Sequence, residues 1–420
     1  MGYNLDSLRK DRISFIGLGK LGLPLACCFA NAGLKVICID KNQSLLSSLR
    51  KKELPFFESG LSDLFASSTN NFIDFTDSFE TAINDSDVTI ILVNTQLGAD
   101  GYSSEIVEDV IIKLSRTLKM SEKKYHQIIL SSTVPPGTIS DLINKIEQIT
   151  DRVIGTDFGF SYVPDFVKLG SVISDFRNPD FCLIGANSQI DFEITSEVWA
   201  LIHQNEPKIT NLTLEETEIA KIALNAYIVN KISFANHLGL LCAGMSNVDV
   251  HRITRAIGQD PRISPFFFSA GTPYGGTCFP RDATAYISFG KKRGTPAGNL
   301  EFAEVINHKL LNFLMTQLTP FSKIGVIGVT FKPGSAVTVD SASVSLILAL
   351  AKMGKEIFVY DHLHEEIENL DQHCQVCLQP QECIDLSEVV ILMHPGSEFS
   401  KLNYIGKTVI DPWGVFTVVS

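Results

Sequence analysis

The sequence predicts an α/β protein: two doubly wound parallel-sheet domains joined by a long central helix. Three observations carry this reading. Short apolar runs alternate with helical stretches up to about Asn211. A segment of helical periodicity without proline, and without glycine before Gly239, then covers 213–243. A second alternation of strand-like and helical runs starts near Lys323. Strands that alternate with helices form parallel sheets covered on both faces.

The elements follow in order. Residues 12–16 read as a short buried strand. Gly17, Gly19 and Gly22 come next, then an Ala/Leu-rich helix to about Ala32, and a second strand at 35–39 that ends at Asp40. This is a βαβ unit. Further strands are expected at 88–93, 127–131 and 181–184, with helices over 104–118 and 139–149. A helix over 213–243 would span about 45 Å, enough to separate two domains. Residues 261–282 are rich in Gly, Pro and Phe with little periodicity, and a long loop of that kind is usually functional. The second α/β pattern has strands at 324–328, 357–360, 389–393 and 408–410 and a helix at 343–353.

Composition is that of a globular protein: 420 residues, 45% hydrophobic and 20% charged. The net charge of -12 argues against nucleic acid or an anionic membrane as the main partner. No apolar run reaches the roughly 18 residues of a membrane span, and no membrane insertion is expected. The polar stretch 1–11 has no signal-peptide core, which points to the cytoplasm. Nine cysteines, mostly inside apolar runs, read as reduced core thiols rather than a disulfide framework. His373, Cys374, Cys377 and Cys383 lack a second Cys/His pair at zinc spacing, so no metal is expected.

Gly17-Leu18-Gly19-Lys20-Leu21-Gly22 is a G-x-G-x-x-G turn between a strand and a helix. The first glycine permits the tight turn, the second lets the backbone approach a pyrophosphate, and the third lets helix and strand pack closely. Asp40, about twenty residues on, would accept the ribose hydroxyls and repel a 2′-phosphate, so the expected cofactor is NAD in a Rossmann-like domain. In 275–282, two glycines precede Cys278, which neighbours Arg281 and Asp282. A nearby cation favours a nucleophilic thiolate; the other reading is a buried structural cysteine. Glu218, Lys221 and Asn225 lie on the long helix. Lys221 and Asn225 share a face and suit an oxyanion, or form a solvated polar stripe. Residues 132–138, Ser-Thr-Val-Pro-Pro-Gly-Thr, follow a strand where an open α/β sheet binds ligands; Thr138 also reads as a helix N-cap.

In this order the motifs resemble the UDP-glucose/GDP-mannose dehydrogenase family over nearly the whole chain. The glycine turn and Asp40 are joined by Pro55-x-x-Glu58-x-Gly60-Leu61, the 132–138 turn and Pro164-Asp165-Phe166 leading to Asn178-Pro179-Asp180. Lys221-x-x-x-Asn225, Asp260-Pro261-Arg262-Ile263, the 275–282 loop and Phe331-Lys332-Pro333 complete the series. The resemblance implies an NAD-binding domain at 1–210, a helical dimer core at 211–318 that carries the nucleophile, and a UDP-sugar domain at 319–420. It implies oxidation of the C6 alcohol of a nucleotide sugar, UDP-glucose to UDP-glucuronate by default, through a thiohemiacetal and a thioester on Cys278.

Residue by residue, the resemblance makes Cys278 the nucleophile and Lys221 and Asn225 the oxyanion partners. Asp282, Thr133 and Asp165 handle water and protons. Gly17, Gly19, Lys20, Leu21, Gly22, Asp40, Thr95, Thr133 and Arg281 hold NAD. Phe166, Val167, Lys168, Lys221, Asn225, Phe267, Gly275, Phe331 and Lys332 meet the substrate, and Arg262 reaches it across a homodimer contact. The chain departs from the family pattern at Asp165 (usually Glu), Leu169 (acidic), Arg281 (Lys) and Val339 (Arg), and Asn94 and Gln96 interrupt a V-P-T-P run. Two other readings stand beside the default: a two-electron oxidation or a different sugar such as an N-acetylhexosamine, and a catalytically weak paralogue that binds NAD and nucleotide sugar.

Overall fold

The computed structural model of the chain describes residues 12–68, 72–96, 98, 101–335, 337–363 and 372–416; the polar stretch 1–11 lies outside them. Two compact units emerge, Met1–Lys221 and Ile222–Ser420.

The first unit is built on an eight-stranded sheet: β1 (Arg12–Ile16), β2 (Lys35–Ile39), β3 (Ile73–Thr76), β4 (Val88–Ile91), β5 (Gln127–Leu130), β6 (Gly159–Tyr162), β7 (Phe181–Ala186) and β8 (Lys208–Leu212). The order β3-β2-β1-β4-β5-β6-β7-β8 places the reversal of winding between β1 and β4, where doubly wound sheets bind ligands. Alternation decides the layers. Ile13, Phe15, Val36 and Cys38 face one apolar core, and Ile16, Ile37 and Ile39 face another. The expectation of a parallel sheet is corrected at one place: β6 and β7 are antiparallel, with Ser161 opposite Ala186. The short helix Val172–Arg177 returns the chain without the crossover a parallel neighbour would need.

The central helix runs Leu214–Cys242, within one residue of its expected limits. After it the second unit has a small apolar core around Val229, Ile287, Leu300 and Ala303. It ends in a five-stranded, fully parallel sheet: β9 (Lys323–Ile327), β10 (Glu356–Tyr360), β11 (Gln375–Val376), β12 (Val389–Leu392) and β13 (Thr408–Ile410), in the order β11-β10-β9-β12-β13. The two sheets share a winding order and a local device. Gly17 (φ 102°) follows β1 and Gly328 (φ 94°) follows β9. The Gly17 N–H bonds to the last carbonyl of β2, and that of Gly328 to the last carbonyl of β10. Asp40 then accepts from the Leu18 N–H, as Asp361 does from Val329.

Among the described residues no helix is long and apolar enough to cross a membrane. All nine cysteines are free thiols.

Candidate active site

The glycine turn is shaped for a dinucleotide. A Cβ on Gly17 would sit 2.3 Å from the Leu92 carbonyl oxygen, and one on Gly22 would sit 2.0 Å from that of Gly17. A Cβ on Gly19 would meet nothing within 4 Å, so the turn opens there toward solvent. The helix Gly22–Asn31 starts behind it with no side-chain cap among the described residues, which directs its N–H groups and positive dipole end at an incoming anion. Lys20 is exposed, Leu21 is half-buried, and Thr95 is buried. Asp40 accepts from Leu18 N and Asn42 N, 2.9 Å each, and its residue is only half-buried. These features fit NAD.

Two further loops belong to the first unit. In the 132–138 turn, Ser132 Oγ donates to the Val93 carbonyl and accepts its N–H, which fixes half-buried Thr133 beside the end of β4. Gly137 (φ 96°) is the helix N-cap; Thr138 is the first helical residue, which corrects the N-cap reading. The carboxylate that caps this helix comes from Glu218: its oxygens accept from Gly137 N at 2.8 Å and Ile139 N at 2.9 Å. Burial pushes Glu218 up to about 7 against those two bonds.

The second loop, between β6 and the helix Val172–Arg177, carries Asp165, Phe166, Val167 and Lys168. Lys221, nearly buried, donates its Nζ to the Asp165 carbonyl and lies 4.8 Å from the Phe166 ring centroid. Burial pushes the Asp165 carboxyl up to about 7, with the Lys221 ammonium working the other way. Asp165, Phe166, Cys182 and His203 border a cavity of about 110 Å³. The far end of the loop is pinned by Glu58 of the Pro55-x-x-Glu58-x-Gly60-Leu61 segment.

In the second unit Cys278 is exposed and stands at the N-cap of the helix Phe279–Lys292, with Pro280 in the first turn. The buried-cysteine reading is therefore set aside for this thiol. Asp282, one turn on, is fully buried and accepts from Asn225 Nδ2. Half-buried Arg281 lies between them in sequence. The loop ahead of Cys278 is pressed against the segment that follows β9. A Cβ on Gly275 would lie 2.0 Å from the Asp340 carbonyl oxygen, and one on Gly276 would lie 2.5 Å from the Phe331 ring. Phe331 and Lys332 are half-buried, with Lys332 Nζ 5.7 Å from the Phe331 centroid. Phe267 (φ 58°) meets Phe279 edge-on at 6.3 Å. Arg262 is exposed and clamped by both oxygens of Asp260. The expected loop 261–282 ends slightly earlier, because its last four residues form the first turn of the Cys278 helix.

Three family models cover the chain in sequence. The NAD binding domain of the UDP-glucose/GDP-mannose dehydrogenase family matches 11–203, its central domain 215–309 and its UDP binding domain 325–417. The UDP-glucose 6-dehydrogenase of Rhizobium meliloti is 30% identical over 409 residues, covering 94% of this chain and 91% of that one. The chain belongs to the UDP-glucose/GDP-mannose dehydrogenase family. The UDP-glucose 6-dehydrogenase of Pseudomonas aeruginosa is also 30% identical, over 83% of this chain and 78% of its own. The solved UDP-glucose dehydrogenase of the hyperthermophilic archaeon Pyrobaculum islandicum superposes with a TM-score of 0.87 at 28% identity, over 99% of this chain and 96% of its own. As a member of this family the chain is an NAD-dependent nucleotide-sugar 6-dehydrogenase.

Proposed function

We propose that this enzyme oxidises the C6 alcohol of a UDP-sugar to the acid, with UDP-glucose to UDP-glucuronate as its reaction, through covalent catalysis by Cys278. The observation that carries the reading is an exposed thiol at a helix N-cap with a buried carboxylate, Asp282, one turn away and bonded by Asn225. An inert core cysteine has no use for that setting.

Gly17, Gly19, Lys20, Leu21, Gly22, Asp40, Thr95, Thr133 and Arg281 hold NAD, which accepts the hydride in each oxidation. The C6 alcohol loses a hydride and a proton to give an aldehyde. Cys278 sulfur adds to that carbon, the C=O bond opens to an oxyanion, and Lys221 and Asn225 stabilise it. Loss of a second hydride from the thiohemiacetal leaves a thioester. Asp165 takes a proton from water, the hydroxide adds to the thioester carbon, and the C–S bond breaks to release the acid and the thiolate. Asp282 and Thr133 orient that water. Phe166, Val167, Lys168, Phe267, Gly275, Phe331 and Lys332 hold the nucleotide sugar, and Arg262 serves the site of a second subunit.

The same reading divides the chain into NAD, central dimer and UDP-sugar domains at 210/211 and 318/319, and makes it a cytoplasmic homodimer. Nine free thiols agree with a reducing compartment. The test is NADH formed per sugar consumed across a panel of UDP-, GDP- and CDP-sugars. Two NADH per UDP-glucose support the reading; one supports a two-electron enzyme, and none a binding paralogue.

A further inference from the structure

Glu58 holds the end of the Asp165 loop from outside it. Its side chain is 6% exposed, and both oxygens are used: Oε2 accepts from Gly170 N and Oε1 from Val172 N, each at 3.0 Å. These bonds join positions more than a hundred residues apart in sequence. Bonds from backbone N–H to a carboxylate are charge-assisted and stronger than neutral ones, and little water competes here. Gly170 (φ 93°) makes the turn that brings both N–H groups round to one carboxylate. The other end of the loop is fixed by Val163 N on the Leu130 carbonyl and by Lys221 on the Asp165 carbonyl, and its middle by Asp175, which accepts from Lys168 N. Glu58 thus closes the remaining free end. It leads directly into the helix Leu61–Ser68, which packs on the helix behind the glycine turn.

We propose that Glu58 is a positioning residue for the oxidation of the sugar. It acts through Gly170 and Val172 to set where Asp165, Phe166, Val167 and Lys168 stand, and it touches neither substrate nor cofactor. The proposal rests on the reading that this loop meets the nucleotide sugar. Glu58→Gln keeps one acceptor oxygen and turns an NH₂ group toward a backbone donor, so one end of the clamp opens. Misplacing a catalytic loop by about 1 Å costs on the order of a hundredfold in rate.

The experiment compares Glu58→Gln and Glu58→Asp with the parent enzyme. Expected for E58Q is a loss of about 10- to 100-fold in kcat/KM for UDP-glucose, with a raised sugar KM and an unchanged Kd for NAD. E58D, which keeps both acceptors on a shorter stem, should fall between parent and E58Q. Hydrogen exchange at Gly170 and Val172 should quicken in E58Q while the strands β1 and β5 stay protected. Sugar kinetics within twofold of the parent, or a loss shared equally by NAD affinity, overturns the proposal. If E58Q does not fold, E58D decides by the same split between sugar and NAD. A parent enzyme that oxidises no nucleotide sugar overturns the functional reading instead. The exchange of the two amides then still decides the clamp: fast exchange in the parent overturns it.

Discussion

Asn225 Nδ2 donates to Oδ2 of Asp282, a carboxylate with no exposed surface. A buried carboxylate keeps its charge only when donors surround it. The amide therefore does structural work for Asp282 besides what it offers the substrate. Removing the amide as Asn225→Ala takes one buried donor away from that carboxylate. Loss of a charged buried hydrogen bond costs about 1.5–3 kcal/mol, so a drop in Tm of several degrees is expected beside the loss of turnover. Scanning calorimetry of N225A checks it; an unchanged Tm contradicts it.

Cys278→Ser should abolish formation of the acid while leaving NAD binding intact. A serine hydroxyl is far less ionised than a thiol and a poorer nucleophile. The glycine turn that binds NAD contains no residue of the Cys278 loop. Acid made by purified C278S at near the parent rate would rule out covalent catalysis.

Asp40→Ala should narrow the preference for NAD over NADP without abolishing binding, because the glycine turn still holds the pyrophosphate. It should also lower stability by about 1–3 kcal/mol, since Asp40 accepts the Leu18 and Asn42 N–H groups. Kinetic efficiency with both cofactors and urea unfolding measure the two effects. Equal efficiency in the parent enzyme would remove the role of Asp40 in selectivity.

Asp165 gives the pH dependence a sign. Burial raises its pKa to about 7, whereas an unfolded Asp titrates near about 4. Between those values the unfolded chain releases a proton that the folded chain keeps, so this group's contribution to stability falls as pH rises through the window. On the proposed mechanism activity moves the other way, because only the carboxylate form of Asp165 can take a proton from water. Deacylation should rise with pH and level off above about 7. The side chain is also a methylene shorter than the family's usual Glu. Thioester hydrolysis should then be slow with UDP-glucose, giving a burst of NADH near the enzyme concentration and a sugar adduct on Cys278 by intact mass. Asp165→Glu should speed the steady state, since the adjoining cavity of about 110 Å³ gives the longer side chain room. No burst together with a slower D165E would mean that Asp is the adapted base.

Tyr227, Phe234 and Leu241 on the central helix are 63%, 55% and 61% exposed. Large apolar side chains in such a row suit a partner subunit. The enzyme should run as a dimer by light scattering, and Leu241→Asp with Phe234→Asp should dissociate it. An active monomer in the parent enzyme contradicts this.

The parts of this fold that local sequence reveals are those whose residues need nothing distant. β1 and β2 are short, mostly apolar runs buried on both faces after their first residue, and the central helix lacks proline, so all three lie within one residue of expectation. β3 (Ile-Asp-Phe-Thr) and β8 (Lys-Ile-Thr-Asn-Leu) are edge strands with one wet face and too few apolar residues to stand out. β6 (Gly-Phe-Ser-Tyr) is wholly buried, yet its Ser161 is satisfied by Gln127 and Thr195, which no local window contains. The motifs of the site were visible one by one. Glu58 and Glu218 stand in those motifs, but their role of holding a loop does not show there, because an acceptor for a backbone N–H some eighty or more residues away leaves no spacing to read.

The matching turns after β1 and β9 differ in what their aspartates have left to give. A carboxylate offers about four lone-pair directions. Asp361 spends them inward: Oδ2 receives Val329 N, Thr330 N and Thr330 Oγ1, Oδ1 receives Leu363 N, and the residue is 4% exposed. Backbone donors and nearby His394 hold its pKa below the usual carboxylate range despite burial. Asp40, half-buried, receives two backbone donors, one on each oxygen. One of the two matching carboxylates has thus been saturated from within. The other was left thirsty, and on the proposed reading Asp40 is the aspartate of the pair with acceptor capacity still to offer a ribose.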